Sequence, residues 1–195
     1  MRGRLLYKSL AGTAACLGLG YYAFVRGTRV PLLGGADLGF HELGHLLTYA
    51  FPDIVTASMG SITQIGVPLG LAVYFLVARR DWVAGGVCLA WASTSAQDAS
   101  IYIADAPYQL LPLIGGEHDW AFVLGPENFN ILDRADTIAA TVKGFGFAMF
   151  LTGVALCLVS PYLEMRKQAA ADAAALVEPT QTGGWAVIPP WEEGQ

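Results

Sequence analysis

The chain has 195 residues, a formal net charge of −5, 54% hydrophobic and 14% charged residues, and a mean hydropathy of +0.47. Such apolar content lies outside the soluble range, and an acidic chain with no basic cluster interleaved with aromatics offers no surface for nucleic acid. Cys16, Cys88 and Cys157 stand in separate apolar stretches without a C-x-x-C pair, which argues against a disulfide or a thiolate metal site and leaves them as small apolar residues.

Apolar runs of about 18 to 25 residues recur along the chain, the length that crosses a hydrocarbon layer roughly 30 Å thick. The first, Ser9 to Val25, follows Met1-Arg2-Gly3-Arg4. Tyr21-Tyr22-Ala23-Phe24-Val25 offers no small-x-small cleavage site, so a retained span is expected rather than a removed signal peptide. Arg26 and Arg29 close it. Pro31 opens the second span, which runs to Phe51, and Gly35 and Gly39 take the G-x-x-x-G spacing of close helix contacts. Phe51-Pro52-Asp53 ends this helix, because proline cannot continue one and restricts its predecessor.

The third span covers Ser61 to Ala78, with Thr63 and Gln64 at its start and Pro68 inside, and it stops at Arg79-Arg80-Asp81. The fourth runs from Trp82 to Ala104. Its second half carries Ser93, Thr94, Ser95, Gln97, Asp98, Tyr102 and Asp105, too polar for lipid, so it faces the bundle interior or a water-filled cavity. Asp98, Tyr102 and Asp105 share a face at i, i+4, i+7; a polar seam holding helices together is the alternative reading.

From Ala106 to Asp136 the chain is rich in Pro and Gly but keeps the apolar stretches 110–114 and 120–124, as expected of a partly ordered loop docked on the bundle or re-entrant at its surface. A fifth span, Thr137 to Leu163, is followed by a short alanine-rich helix to Leu176 and a flexible acidic tail to Gln195. The expected fold is therefore all-α: a polytopic membrane bundle of about five transmembrane helices over 1–163, with the short helix and tail over 164–195. It belongs in the cell (inner) membrane as a multi-pass protein, with the lipid bilayer as its first partner.

Within the second span lies His41-Glu42-Leu43-Gly44-His45, an H-E-x-x-H motif. Residues four apart share a helix face, so His41 and His45 can present ring nitrogens to one Zn²⁺, while Glu42 takes a proton from a water activated by the ion. Ionisable groups inside an apolar segment mark a site by default. Alternation of five spans brings His41 and His45, the 106–136 loop and the polar half of the fourth span to one membrane face. The remaining histidine, His118, lies in that loop and is the expected third ligand. Asp119, Asp98 or Asp105 would accept a hydrogen bond from an imidazole and orient it. On the same alternation Arg2, Arg4, Lys8 and Arg134 share the side of the site, and Arg26, Arg29, Arg79, Arg80, Arg166 and Lys167 lie opposite, which favours an outward-facing site.

The motif inside a hydrophobic helix resembles that of the site-2 protease family of intramembrane zinc metallopeptidases. The resemblance implies two histidines and a distant Leu-Asp-Gly aspartate on zinc, with the glutamate activating water for peptide hydrolysis. Leu132-Asp133 supplies a Leu-Asp followed by Arg134 in place of glycine, so Asp133 is the alternative third ligand. Two functions are expected: a membrane zinc hydrolase acting on a membrane-protein substrate, or a non-catalytic accessory subunit of a larger membrane complex that retains the metal-binding bundle.

Overall fold

The computed structural model describes residues 2–114 and 116–177. Among them every regular element is helical, so the fold is all-α. The long helices are α1 (Arg2–Gly20), α2 (Leu33–Thr48), α3 (Asp53–Val73), α4 (Trp82–Asp105) and α6 (Ala135–Val177), with a short α5 (Asp119–Leu124) inside the expected loop. π-helical turns, Tyr21–Val25 and Tyr74–Ala78, extend α1 and α3. Two compact units divide the chain, 1–160 and 161–195. In the second, α6 continues through Pro161 without a separate short helix, Arg166 lies over the Tyr162 ring, and residues 178–195 of the expected tail lie outside the described residues.

Two helical stretches, Asp53–Ala78 and Leu132–Ala174, are long and apolar enough to cross a membrane. At 16 residues, α2 spans only about 24 Å, and α4 carries the polar half noted above. That half is buried: Ser93, Ser95 and Ser100 are each under 5% exposed, and Ser93, Thr94 and Ser100 hydroxyls donate to carbonyls one turn back in their own helix. Local satisfaction of this kind lets small polar residues sit in a helix interior.

Helix directions follow from which residues meet. Lys8 Nζ pairs with Asp81 Oδ2 at 2.7 Å and Cys16 Sγ lies 3.7 Å from the Gly86 carbonyl oxygen, so α1 runs parallel to α4. Asp37 meets Trp91 and Ser95, and further along the His41 ring meets Tyr102, so α2 is parallel to α4 as well. By contrast α3 and α6 run the other way, pairing Gln64 with Asp98, Leu76 with Gly85, Gly146 with Ala96, and Gly153 with Gly86. Strict alternation is thus not what the chain does. The segment 26–32 turns back beside the middle of α4, Gly27 and Leu32 take positive φ (61° and 66°), and Arg29 Nε donates to Asp98 Oδ1 at 2.7 Å. α1 packs on the first half of α4, whereas α2 packs on α3 and reaches the second half of α4 through the side chains of Asp37, Phe40 and His41. Lys8 accordingly shares an end with Asp81, and Arg29 lies near the middle rather than opposite the site.

The first half of α4 packs through small residues. A Cβ on Gly86 would lie 2.7 Å from the Gly153 carbonyl oxygen, and one on Gly153 would lie 2.5 Å from that of Gly86; only glycine admits this approach of α4 and α6. Cys16 and Cys157 are free, buried and 3.7 Å apart. Gly35 and Gly39, in contrast, have nothing within 4 Å of their Cβ positions among the described residues, so the G-x-x-x-G spacing marks no close contact there. At the other end α5 is docked by Val123 and Leu124, buried with Ile103, Ala106, Ala135 and Ala139 in one apolar cluster.

Candidate metal centre

α3 begins at Asp53, after Pro52, which puts Gln64 in mid-helix facing α2 rather than at a helix start. α2 and α3 approach closely at two glycines: a Cβ on Gly44 would strike the Met59 carbonyl, and one on Gly60 would sit 2.6 Å from His41 Nε2 and 2.7 Å from His45 Nε2. The two imidazoles therefore occupy space that a side chain at position 60 would take.

Each ring is held at Nδ1. His45 Nδ1 donates to the Thr56 carbonyl oxygen at 2.8 Å. His41 Nδ1 donates to Gln64 Oε1 at 3.3 Å, because the Gln64 amide nitrogen is committed to Asp98 Oδ2 at 3.0 Å. A proton on Nδ1 leaves the Nε2 lone pair free in each neutral ring. Both lone pairs face one atom, Asp119 Oδ2, at 3.0 Å from His41 and 3.3 Å from His45. A carboxylate oxygen only accepts. Tyr102 steadies it, its hydroxyl donating to Asp119 Oδ2 (3.2 Å) and accepting from the Asp119 N–H (3.1 Å).

Three atoms that can each offer a lone pair converge here, an arrangement that suits a cation. One proton would serve a single pair; a metal ion serves all three. The ligand atoms lie within 4.8 Å of one another, and a tetrahedral ion with bonds of about 2.0–2.1 Å holds its ligands roughly 3.3 Å apart. Two imidazoles and a carboxylate are also a donor set that zinc accepts with a position left open. His41, His45 and Asp119 could therefore hold a metal ion.

His118 stands outside this group. It is the N-cap of α5, and its Nδ1 accepts the Ala121 N–H at 3.3 Å. The proton of the neutral ring is then on Nε2, which lies 3.4 Å from Asp105 Oδ2 without hydrogen-bond geometry. Burial, opposed by the Asp105 and Asp119 carboxylates, holds the imidazole below the ordinary histidine range and so neutral. With no lone pair to offer, and its ring stacked on Tyr102 at 4.2 Å, His118 buttresses the aspartate that follows it. In the group that could hold a metal ion, Asp119 thus stands where His118 is the expected third ligand, although the sequence points to it only as a supporting acceptor. Asp133, the alternative ligand, is exposed on a 3-10 turn, Leu132–Arg134, at the head of α6.

Of the other supporting acceptors, Asp98 acts on His41 through Gln64. Asp105 instead accepts the N–H groups of Leu110 and Leu111, fixing the start of the loop. Asp37, absent from the sequence reading, is 4% exposed and accepts from the Trp91 indole and Ser95 hydroxyl; its place one turn before His41 in an apolar run was the available signal.

The group opens on a cavity of about 520 Å³ that Glu42 also lines, with Arg29 and Asp98 on one side and Leu38, Ile101, Leu111 and Leu113 among its apolar walls. Glu42 itself is exposed, so its carboxyl group stands beside the candidate ligands in a partly apolar cleft. No protein-family model matches this chain, and no curated protein or solved structure is detectably similar to it.

Proposed function

We propose that the chain is an integral membrane zinc-dependent hydrolase, an intramembrane metallopeptidase of the kind its H-E-x-x-H motif resembles. The observation that carries this reading is the convergence of two Nε2 lone pairs and the Asp119 carboxylate in a cavity shared with Glu42. His41, His45 and Asp119 would hold the zinc. Bound there, zinc supplies Lewis acidity to the attacking water and the scissile carbonyl. Glu42 would take a proton from the attacking water and return it to the leaving nitrogen, and the apolar walls at Leu38, Ile101 and Leu111 would receive the side chains of a membrane-protein substrate.

In this reading the long helices lie in the cell (inner) membrane as a multi-pass protein, with α2 entering only part of the depth. The segment 26–32, irregular and lining the cavity at Gly27 and Arg29, is the sort of backbone tolerated at depth where water or protein satisfies it. Exposed Leu10 and Leu17 on α1 and Phe145, Leu151 and Leu158 on α6 suit contact with lipid. Lys8, Arg79 and Arg80 gather at the Asp81 end while the candidate centre lies toward the other, so the basic end faces the cytoplasm and the site faces away from it.

Glu42→Gln tests the mechanism. It should keep the metal and lower hydrolysis of an apolar transmembrane reporter peptide by roughly 10²–10⁴-fold, the range of a lost general base. Full activity in that variant would exclude this chemistry.

A further inference from the structure

We propose that a one-way hydrogen-bond chain from Arg29 through Asp98 and Gln64 sets the tautomer of His41, which makes these three positioning residues of the candidate centre. The consequence for metal binding rests on the reading above; the tautomer does not. The chain begins with a group that can only donate: Arg29 Nε–H to Asp98 Oδ1, 2.7 Å. Asp98 can only accept, and its second oxygen takes the Gln64 amide N–H at 3.0 Å. That fixes the amide one way round, with Oε1 toward His41 Nδ1 at 3.3 Å. Nδ1 must then hold a proton, which leaves Nε2 as the ring atom that faces Asp119, 3.0 Å away. Gln64 and His41 are 4% and 8% exposed, so water has little room to substitute for either link.

An amide donates on one side and accepts on the other, so it transmits direction. Asp98→Asn tests this. Arg29 still demands an acceptor, so the new amide turns its oxygen to Arg29 and its NH₂ to Gln64. Gln64 answers with Oε1 and swings its own NH₂ toward His41. Nδ1 becomes an acceptor, the proton moves to Nε2, and the ring loses the lone pair it offers the centre. Adding Gln64→Glu to Asp98→Asn restores an acceptor at both ends and should reverse the change.

The experiment uses the full chain in detergent micelles with zinc alone as the probe, reading affinity against a chromophoric chelator. Imidazole ¹⁵N shifts of the metal-stripped protein read the tautomer, and circular dichroism reads folding. The expected result is a protonated Nδ1 at His41 in the wild type and an unprotonated one in Asp98→Asn, with zinc binding weakened roughly 10–100-fold and largely recovered in the double variant. An Asp98→Asn ring that stays Nδ1–H overturns the proposal, as does a folded double variant that still binds zinc as weakly as the single one. A wild type that binds no zinc would sink the hydrolase reading while the ¹⁵N shifts still decide this one.

Discussion

His41 and His118 each lie beside an aspartate and against the Tyr102 ring, yet their protons are placed in opposite senses. His41 spends Nδ1–H on Gln64 and turns Nε2 toward Asp119. His118 spends its Nδ1 lone pair on capping α5 and turns N–H toward Asp105. Proximity to a carboxylate is common to both, so it does not decide which ring can ligate. What the other ring nitrogen is doing decides it.

The largest effect should come from breaking the first arrangement at its acceptor. Asp119→Asn removes the charged ligand and should weaken zinc binding by more than roughly 100-fold, beyond the range expected when only a ligand's supporting partner is lost; chelator competition measures it. Gly60→Ala comes next. A Cβ 2.6–2.7 Å from both Nε2 atoms must displace the imidazoles, so affinity should fall by roughly 10-fold while helicity by circular dichroism holds. His118→Ala probes the second arrangement. It should cost about 1 kcal/mol through loss of the α5 cap, seen in denaturant unfolding, while one zinc per chain is retained. The smallest effect lies outside both. Burial raises the Asp81 carboxyl, but hydrogen bonds from Lys8 and the Ala84 N–H lower it further, for a net value below the usual range. Its contribution is therefore full above about pH 4, is lost as pH falls through the lowered value, and should shrink in the pH dependence of stability in Lys8→Met, which leaves the Ala84 N–H bond in place.

How much of this could be read from the residues alone differs from element to element. The helical class and the His41/His45 pair were legible because four-residue spacing on a helix admits one geometry. Which of two adjacent loop residues joins them was not. The choice turns on where a six-residue helix starts: His118 keeps an extended conformation as the cap, and Asp119 is the first helical residue. Hydropathy likewise locates apolar segments but not their direction. Arg26 and Arg29 read as the end of a span, whereas Gly27 and Leu32 turn the chain so that α2 repeats the direction of α1. Gln64 reads as the polar start of a helix because Phe51-Pro52-Asp53 reads as the end of the one before it, whereas Pro52 in fact precedes the start of α3 at Asp53.

Two histidines and Asp119, not three histidines, are the proposed metal ligands. Zinc X-ray absorption on the loaded, detergent-solubilised protein addresses it directly. The account predicts two imidazoles with the remaining ligands oxygen, unchanged in His118→Ala. Three imidazoles in the wild type, falling to two in that variant, would contradict it.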